Sequence, residues 1–460
     1  MSLSEPAKTA APASRYDIAG LIAELGDVPI VTDTTTVRRR SRDYFWYSPI
    51  LNSQLHGKSA DIIAVPRTEA DVVKVAGACA RRRIPITPRG LSTGNYGQAV
   101  PLEGGVLLDL SAMTKIAWHK PGLVRVEAGA RLVDIDSALR PAGFELRMHP
   151  STKRMATIGG FVCGGSGGIG SITYGGLREP GNVMAARVVT VEETPRVIEL
   201  RSEETQKINR TFGTTGIVVE LEMPLAPAWP WIDVVVAFDD FDDAVQVGHE
   251  LAMADGIVKK LITPIKWPLP AYFGPLKAHC PEGKSILALM IAEASLENFK
   301  SLLKGRGEIT LETPMDESPA NIPLYEYTWN HTTLQVLKTD RSVTYLQCLY
   351  PHDRVMQAVK TMTEMFGDEV MPHLEFIRFG GRVTCSALPV VRYSTAERLN
   401  EIIDLFEENG VTIANPHVYT VEDGSRHKRT DADQLGFKRE ADPFGLLNPG
   451  KMRTYVPVSD

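Results

Sequence analysis

The sequence predicts an α+β fold with two domains, and three observations support that prediction. Strand and helix patterns alternate from Asp61 onward, which is typical of a mixed fold. Fifteen of the 38 glycines lie in two short windows, residues 90–105 and 159–181. A proline-rich stretch at residues 224–230 then separates this half of the chain from a second half with its own strand and helix patterns. We therefore expect two folding units that meet near residue 227.

The composition of the 460-residue chain excludes several classes of protein. Hydrophobic residues make up 43% and charged residues 23%, as in ordinary globular domains, which excludes disorder as the main state. The net charge of -6 argues against a nucleic-acid partner and against an anionic membrane surface. No eighteen-residue apolar window occurs, and the first fourteen residues lack the apolar core of a secretion signal, so we expect no membrane span and a disordered leader.

The cysteines indicate a reducing compartment. They are odd in number and show no C-x-x-C spacing, so a disulfide framework is not expected. The sequence therefore predicts a cytoplasmic protein whose cysteines are small buried hydrophobes: Cys79, Cys163, Cys280, Cys348 and Cys385.

The first elements alternate between helix and strand. Residues 16–25 have helical spacing, whereas residues 32–56 are polar and aromatic without a period, and we interpret them as a loop. Residues 61–65 form a short apolar strand. Thr68 then offers a helix N-cap, and apolar residues follow it at helical spacing.

The next elements surround two glycine-rich segments. Strands are predicted at 84–87, 106–110, 123–127 and 216–223, a helix at 131–139, and a hairpin from 184–191 and 196–200. The first glycine loop, 89–99, follows the strand at 84–87 directly. The second segment, 157–181, holds ten glycines.

Glycine after a strand lets backbone N–H groups approach a phosphate closely. Two such loops, 89–97 and 158–170, would suit the two ends of a pyrophosphate. The first loop leads into a strand and not a helix, so it is not a Rossmann fingerprint, and the second lacks the G-K-[ST] of a Walker A loop. The residues alone therefore indicate a phosphate-bearing ligand without identifying it.

Four separated motifs carry a resemblance to a known family. They are RGLSTGNYG, HPSTKRMATIGGFVCGGSGGIGSITYGG, GTTGIVVELEMPL and GLLNPGKM, in that order. This order resembles the vanillyl-alcohol oxidase / p-cresol methylhydroxylase (PCMH) superfamily of FAD-dependent oxidoreductases, over residues 57–227 and the last twenty. The resemblance implies an α+β fold, with a PCMH-type two-subdomain FAD-binding domain and an α/β cap domain built on an antiparallel sheet. The implied segments are an N-terminal helix and leader (1–56), the FAD-binding domain (57–227), the cap or substrate domain (228–430) and a C-terminal segment returning to the FAD domain (431–460).

The same resemblance implies the FAD-binding residues. The first loop would hold the pyrophosphate through Arg89, Gly90, Leu91, Ser92, Thr93, Gly94 and Asn95, with Gly97 nearby. The second motif would line the pyrophosphate, ribose and isoalloxazine through Pro150, Ser151, Thr157, Ile158, Gly160, Phe161, Gly165, Ser166, Gly167 and Tyr174. Gly216, Ile217 and Val218 would lie along the adenine, and Asn448 and Lys451 would return to the flavin. Because the first loop contains neither His nor Cys, noncovalent FAD is expected.

The second half of the chain contains two similar blocks. A strand at 231–238 precedes a helix at 241–254, and a strand region at 342–349 precedes a helix at 353–366. This spacing suggests two half-repeats.

Flavin oxidation of an alcohol or amine usually needs a base for the heteroatom proton, and histidine suits that role near pH 7. Three histidines lie in polar and aromatic stretches of the second half: His331, His373 and His417. We favour His417 as the base, because His417 and Tyr419 would share one face of a strand at i, i+2. The substrate-binding candidates are Trp329, His331 and Arg378, the last as a partner for a carboxylate. His373 and Glu375 without a third ligand are a weak metal signal, so no metal is predicted.

The sequence thus predicts an FAD-dependent oxidase or dehydrogenase that removes a hydride from a small hydroxyl-bearing substrate, with oxygen or another acceptor reoxidising the flavin. A homodimer is compatible with it. One alternative is a metal-assisted D-2-hydroxy-acid dehydrogenase, although residues 415–424 keep a His without the H-x-G-D-G-N pattern of that branch. A flavin-binding protein without turnover is the other alternative.

Overall fold

The computed structural model describes residues 14–165, 167–422 and 431–457. Most of the predicted leader, Ser166 and residues 423–430 lie outside this part. Among the helices of the described residues, none combines the length and apolar character needed to cross a membrane.

The elements alternate along the whole chain. The strands are β1 (Ile30–Val31), β2 (Ile62–Ala64), β3 (Ile86–Arg89), β4 (Val106–Asp109), β5 (Ile116–Lys120), β6 (Leu123–Glu127), β7 (Phe144–Leu146), β8 (Ala185–Val189), β9 (Val197–Arg201), β10 (Ile217–Pro227), β11 (Trp231–Phe238), β12 (Lys259–Ile265), β13 (Ser285–Ala292), β14 (Glu308–Pro314), β15 (Val343–Tyr345), β16 (Cys348–Leu349), β17 (Val370–Met371), β18 (Leu374–Phe379), β19 (Arg382–Ala387), β20 (Val390–Arg392) and β21 (Thr412–Ile413). The α-helices are α1 (Ile18–Leu25), α2 (Thr34–Arg40), α3 (Pro49–Leu55), α4 (Glu69–Arg81), α5 (Leu132–Leu139), α6 (Ile158–Gly164), α7 (Ser171–Tyr174), α8 (Phe241–Met253), α9 (Leu296–Leu303), α10 (Asn330–Leu337), α11 (Val355–Phe366), α12 (Ala396–Glu408) and α13 (Ala432–Ala441).

The first sheet has the order β1-β2-β4-β3, with β2 and β3 both parallel to β4. Its strands are fully buried at the centre, as expected for parallel strands covered on both faces. Helix α4 covers one face, and its capping box at Thr68 and Asp71 confirms the predicted helix start. The first glycine loop leaves the carboxyl end of β3, the edge of a parallel sheet where ligands bind.

The second sheet is antiparallel, with the order β5-β6-β10-β8-β9, and β7 pairs with the far end of β10. The predicted hairpin is confirmed by the β8–β9 pairing. Helix α6 lies against this sheet over a core that includes Ile158, Val162 and Val218. Gly216, directly before β10, has φ +146°, and a Cβ there would lie 2.3 Å from the Val188 side chain, so this position requires glycine.

The second half of the chain is built on antiparallel sheets: β12-β13-β11-β14, β15-β20-β17 and β18-β19-β16-β21. The predicted strand–helix blocks are confirmed, because β11 precedes α8 and β15–β16 precede α11. One large core of Val, Leu, Ile and Phe side chains lies between these sheets and their helices. The second half of the chain places α10 and β18 beside the first half.

Two predicted loops are partly helical. Residues 32–56 contain α2, α3 and a 3-10 turn at Phe45–Tyr47, because Asp33 and Ser48 cap the helices and Pro49 occupies the first turn of α3. The glycine segment that begins at 158 starts with α6, which Thr157 caps through the Gly160 N–H. Glycine disfavours helices, but close packing stabilises this one: a Cβ on Gly159 would lie 2.7 Å from the Ala128 Cβ.

The C-terminal segment returns to the first sheet, as predicted for a docked loop. Leu447 forms a parallel bridge with Ile86, and the Asn448 N–H donates to the Ile86 carbonyl at 2.7 Å. The segment therefore extends the β3 edge beside the first glycine loop.

Candidate functional site

Three adjoining clefts form one groove, which begins within the first half of the chain and meets the second half at Trp329 and α10. The first cleft has a cavity volume of about 110 Å³ and is lined by Asp43, Pro88, Arg89, Gly90, Leu91, Ser92, Thr93, Gly94, Gln98, Ala99, Leu110, Ala128, Thr157, Gly159, Gly160, Cys163, Gly164, Phe212, Gly213, Gly216 and Val218. The second cleft has a cavity volume of about 110 Å³ and is lined by Thr93, Gly94, Asn95, Tyr96, Gln98, Pro150, Ser151, Thr152, Ala156, Gly160, Phe161, Gly164, Gly165, Gly167, Trp329 and Asn330. The third cleft has a cavity volume of about 240 Å³ and is lined by Tyr44, Tyr47, Thr93, Asn95, Thr152, Arg154, Met155, Glu326, Asn330, His331 and Leu334. Shared residues join each cleft to the next, so one extended ligand fits all of them better than three separate ones.

The first glycine loop presents unused backbone donors to this groove. Within the part of the chain that the structure describes, the amide N–H groups of residues 91–95 donate no hydrogen bond. The Ser92 Oγ is also buried without a partner among the described residues, and Ser92 has φ +53°. A run of unused donors in a partly buried loop is costly unless a ligand accepts from them. Pyrophosphate oxygens are such acceptors, so the loop fits the FAD that the motifs imply.

Glycine is needed where the two loops meet. A Cβ on Gly90 would lie 2.0 Å from the Thr157 Oγ1, so the two glycine segments are in direct contact. Gly164 differs, because a Cβ there would meet nothing closer than 4.0 Å although the residue lines the first and second clefts. Its free side faces the groove, which leaves space for a flat ligand over α6.

The C-terminal return fastens the first loop from outside. The Asn448 side-chain amide donates to the carbonyls of Gln98 and Phe212, at 2.7 Å each. The Lys451 Nζ donates to the Gly97 carbonyl at 2.6 Å. Burial lowers the pKa of Lys451 to about 7. Asn448 and Lys451 therefore hold the loop in place and line none of the three clefts.

The second half of the chain contributes Trp329 through a buried polar cluster. The Trp329 N–H donates to the Glu375 Oε1 at 2.7 Å, and the Thr263 hydroxyl donates to the Glu375 Oε2 at 2.5 Å. The His373 Nε2 lies 2.9 Å from the same Glu375 Oε1. Trp329 has φ +52° and directly precedes α10, so the cluster fixes an unusual backbone conformation over the second cleft.

The third cleft combines an ion pair with an uncharged histidine. Arg154 and Glu326 form a bidentate pair across the two halves, with Nη2–Oε2 at 2.9 Å. Burial lowers the pKa of His331 to about 4, so its ring is neutral at pH 7 and can accept a proton.

One wall of the first cleft carries an acid. Asp43 accepts from the Phe45 N–H at 2.9 Å, and burial raises the pKa of its carboxyl to about 6. Cys163 lines the same cleft as a free thiol, and burial raises its pKa to about 12. The Cys163 thiol therefore stays protonated near pH 7 and is not prepared to act as a nucleophile.

The two halves are also joined by buried charges behind the groove. The Lys153 Nζ lies 2.7 Å from Asp136 Oδ2 and 2.9 Å from Glu317 Oε1, and the Tyr325 hydroxyl donates to the same Glu317 oxygen at 2.6 Å. Lys153 belongs to the segment that lines the second cleft, whereas Glu317 belongs to the second half. This network holds the groove to one width.

Most of the predicted FAD residues meet in the groove. The first cleft receives Arg89, Gly90, Leu91, Ser92, Thr93, Gly94, Thr157, Gly160, Gly216 and Val218. The second receives Asn95, Pro150, Ser151, Phe161, Gly165, Gly167 and Trp329, and the third receives His331. Ser166 lies outside the described residues.

Besides Asn448 and Lys451, three described residues predicted to bind FAD line none of the clefts. Ile158 and Ile217 are core residues of the first half, since their side chains point away from the groove while their neighbours line it. Tyr174 packs at the edge of the same core under Arg147, whose guanidinium carbon is 5.2 Å from the ring. These three side chains therefore lie away from the groove in which we expected the residues to meet FAD.

The structure contradicts His417 as the base. The residue is buried, its Nδ1 lies 2.7 Å from the Ser48 Oγ, and its Nε2 donates to the Tyr345 carbonyl at 2.9 Å. The chain turns at Pro416 and His417, so the expected strand does not form. Tyr419 packs with Leu51 and Leu55 instead, under the Lys451 ammonium at 4.9 Å from its ring. Neither His417 nor Tyr419 lines a cleft.

Arg378, predicted to bind a substrate carboxylate, also lies away from the clefts. It lies on β18 as expected, but its guanidinium pairs with Asp255 and donates from Nε to the Ile172 carbonyl at 3.1 Å. It lines none of the clefts. Across residues 14–165, 167–422 and 431–457, no group of three His, Cys, Asp or Glu side chains could hold a metal ion.

Sequence reasoning missed several groove residues: Asp43, Tyr44, Tyr47, Tyr96, Gln98, Thr152, Arg154, Phe212 and Asn330. Tyr96 and Gln98 belong to the first glycine loop and could have been found by treating the whole loop as site. Asp43, Tyr44 and Tyr47 come from the stretch interpreted as a loop, where nothing marked them.

Comparisons with known proteins agree with this geometry. Residues 60–199 match the family described as FAD binding domain. D-lactate dehydrogenase of Anaerostipes hadrus is 28% identical over 200 residues, which covers 42% of this chain and 42% of that protein. The glycolate oxidase subunit GlcD of Bacillus subtilis is 24% identical over 433 residues, covering 85% of this chain and 88% of its own length. With the first relatives, the match spans only about two fifths of their length.

A solved structure shares the fold over nearly the whole chain. Alkyldihydroxyacetonephosphate synthase superposes with a TM-score of 0.70 at 15% identity, covering 96% of this chain and 86% of that one. At this identity the likeness concerns the fold alone.

Proposed function

We propose that the chain is an FAD-dependent oxidoreductase of the PCMH-type FAD-linked oxidase superfamily, which removes a hydride from a small hydroxyl-bearing substrate. When bound, FAD supplies the N5 atom that accepts the hydride. The proposal includes noncovalent FAD and a reoxidation step by oxygen or another acceptor. A cytoplasmic location is part of it and rests on the free cysteines.

One observation carries this proposal: the unused amides of residues 91–95 open into a groove that runs on under Trp329. The donors suit the pyrophosphate, and the second cleft is flat because glycines 160, 164, 165 and 167 line it. A substrate would lie where the second cleft opens into the third, beside Asn95 and Asn330.

The side chains around that opening suggest roles. Tyr96 has a hydroxyl that accepts from the Gln347 amide, and burial raises the pKa of Tyr96, so it stays protonated and can donate to a substrate oxygen. His331 is neutral and can accept the hydroxyl proton, so we propose His331 in the place first given to His417.

A 2-hydroxy acid is the substrate class that we favour. The curated relatives include a D-lactate dehydrogenase and a glycolate oxidase subunit, both named for such acids. Alcohols without a carboxylate remain within the proposal as the second class to test.

The deciding experiment is anaerobic substrate-driven bleaching of the FAD-loaded protein, followed by admission of air. We expect absorbance near 450 nm to fall with at least one hydroxy acid or alcohol, and the reappearance of colour in air would separate oxidase from dehydrogenase behaviour. Failure of purified protein to bind FAD at all would refute the proposal. Binding with normal photoreduction, but no bleaching across the panel, would favour a flavin-binding protein without turnover.

Three further experiments test the finer statements. Acid precipitation should leave FAD in the supernatant, and flavin in the pellet would refute noncovalent binding only. Chelation should leave the bleaching rate unchanged, whereas a loss restored by a divalent metal would support the metal-assisted alternative. His331→Gln should slow bleaching at unchanged FAD affinity, with His417→Gln as the matched histidine outside the clefts.

A further inference from the structure

The third cleft carries no unpaired charge, although Arg154 and Glu326 line it. The Arg154 Nη2 donates to the Glu326 Oε2 at 2.9 Å and its Nε donates to the other carboxylate oxygen, while its Nη1 donates to the Asn321 carbonyl at 3.1 Å. His331 is neutral at pH 7, because burial lowers its pKa to about 4. A charged group of a ligand would therefore find no free counter-ion among the residues that line this cleft.

Apolar and aromatic side chains form much of the remaining lining of the third cleft: Tyr44, Tyr47, Met155 and Leu334. The rings of Tyr44 and Tyr47 lie edge to face, with their centroids 6.0 Å apart and their planes at 84°. Tyr44 is 41% exposed and Met155 is 55% exposed, so these two lie at the mouth of the cleft, whereas Tyr47 is buried. An apolar group can therefore enter from solvent and lose its contact with water.

The volume of the third cleft, about 240 Å³, is large for the smallest 2-hydroxy acids. A cavity of about 150 Å³ already holds a benzene molecule. Glycolate and lactate carry only a hydrogen or a methyl group on the hydroxyl carbon, so they would leave most of the third cleft to water. Water finds few hydrogen-bond partners beside Tyr44, Met155 and Leu334, so an apolar group of the size of a ring fits this space better.

The junction between the second and third clefts is polar and uncharged. The two clefts share Thr93, Asn95, Thr152 and Asn330. Asn95 is only 5% exposed, and its side-chain amide forms no hydrogen bond with any residue of the described ranges. A buried amide needs partners, and this one can both donate to a ligand and accept from it. The third cleft thus has a neutral polar end at the second cleft and an apolar end toward solvent.

We propose that the third cleft binds the apolar part of the substrate, a group of the size of a single ring, and that Asn95 holds the polar end where this cleft meets the second. The inference rests on the proposed function, because it takes the second cleft as the place of the flavin ring. An aryl group and a cyclic alkyl group share this chemistry. The substrate would therefore be a hydroxy acid or alcohol that carries such a group, and not glycolate or lactate.

Binding of neutral amides to the FAD-loaded protein tests this assignment. The probes are acetamide, phenylacetamide and cyclohexylacetamide, which share one polar group and carry no hydroxyl that a flavin could oxidise. In calorimetric titrations both ring-bearing amides should bind more tightly than acetamide by about tenfold or more, because the ring leaves water. A smaller preference would overturn the proposal. Tighter binding of phenylacetamide than of cyclohexylacetamide would indicate an aryl group in the substrate, whereas equal or weaker binding would indicate an alkyl group.

A pair of leucine variants locates the ring. Leu334→Trp fills the third cleft from α10, whereas Leu302→Trp makes the same change at a half-buried leucine of α9 outside the clefts. With FAD still bound, Leu334→Trp should weaken the binding of both ring-bearing amides by about tenfold or more, and Leu302→Trp should match the wild type. Equal effects of the two substitutions would contradict the placement of the ring in the third cleft.

Asn95→Ala tests the polar end, because it removes the side-chain amide and keeps the backbone of the glycine loop. It should weaken phenylacetamide by about fivefold and leave the binding of toluene, which has no polar group, unchanged. The same change for both probes would refute the role of Asn95.

The wild type also locates the ring without any variant. Phenylacetamide should slow amide hydrogen exchange in α10, residues 330–337, and no slowing there would overturn the placement. Because the flavin cannot oxidise the hydroxyl-free amides, a failure of every hydroxy acid and alcohol to bleach it would refute the proposed function and leave these binding results intact. Bleaching by glycolate or lactate without any preference for a ring would refute the third-cleft assignment alone.

Discussion

Replacing Gly164 by leucine should weaken FAD binding without destabilising the folded chain. Gly164 ends α6 and lines the first and second clefts, and a Cβ there has only the Gln98 amide nitrogen within reach, at 4.0 Å. Leucine is the better helix former by up to about 1 kcal/mol, so the melting temperature of the FAD-free protein should stay level or rise. The new side chain would occupy the space of the ligand.

The size of the effect follows from overpacking. Forcing a side chain into a filled space costs about 1–3 kcal/mol, which corresponds to a roughly 5- to 150-fold rise in the dissociation constant of FAD. Fluorescence quenching of FAD titrated with protein measures it, and thermal unfolding of the FAD-free protein measures stability. Unchanged affinity in Gly164→Leu would refute the placement of FAD over α6.

Gly159 offers the opposite case in the same helix. A Cβ on Gly159 would lie 2.7 Å from the Ala128 Cβ and 2.9 Å from its carbonyl oxygen, so Gly159→Ala should destabilise the FAD-free protein by about 1–3 kcal/mol. Gly176, which has nothing within 4 Å and lines none of the clefts, is the neutral control for both measurements. A stable Gly159→Ala protein would show that α6 can shift, contrary to the packing described.

Three further predictions concern charge and access. The pKa of buried His417 is about 4, against an ordinary value of 6.5, so the unfolded chain binds a proton at this residue more readily than the folded chain does. The free energy of unfolding should therefore fall as the pH drops from about 6.5 toward 4, by about 2 kcal/mol at pH 5. In denaturant titrations, His417→Gln should flatten that slope. Lys153→Met leaves Asp136 and Glu317 buried without their cation and should lower the free energy of unfolding by about 3–5 kcal/mol. The control Arg131→Met breaks the exposed pair of Arg131 with Asp134 and should lower it by less than about 1 kcal/mol. Equal losses in the two variants would contradict the burial argument. FAD should further slow the labelling of Cys163 by N-ethylmaleimide, which is already slow near pH 7 because burial keeps the thiol protonated. Peptide mass mapping follows the labelling with Cys163→Ser as the control, and equal labelling with and without FAD would place the cofactor elsewhere.

Local patterns predicted the elements near the cofactor groove well. Thr68 and its apolar stripe located α4, and glycines after β3 located the loop whose amides are unused. These features are encoded by neighbours in the chain, so a single sequence reveals them. The position of α6 was missed because glycine has low helix propensity, and the close packing of Gly159 on Ala128 is a tertiary contact.

The substrate side could not be predicted in the same way. His417 and Arg378 looked suitable by composition, yet their partners are Ser48, Tyr345 and Asp255, which are distant in sequence. Whether a polar side chain is free or satisfied depends on those distant partners.

The return of the C-terminal segment has a consequence for biosynthesis. The bonds from Asn448 to Gln98 and from Lys451 to Gly97 join residues 350 and 354 positions apart. A ribosome makes the first glycine loop long before it makes the residues that fasten it. The loop reaches its final form only after residue 451 has left the exit tunnel, so we expect stable cofactor loading to wait for that residue. Nascent chains stalled before residue 446 should fail to retain FAD even when the whole first half has emerged.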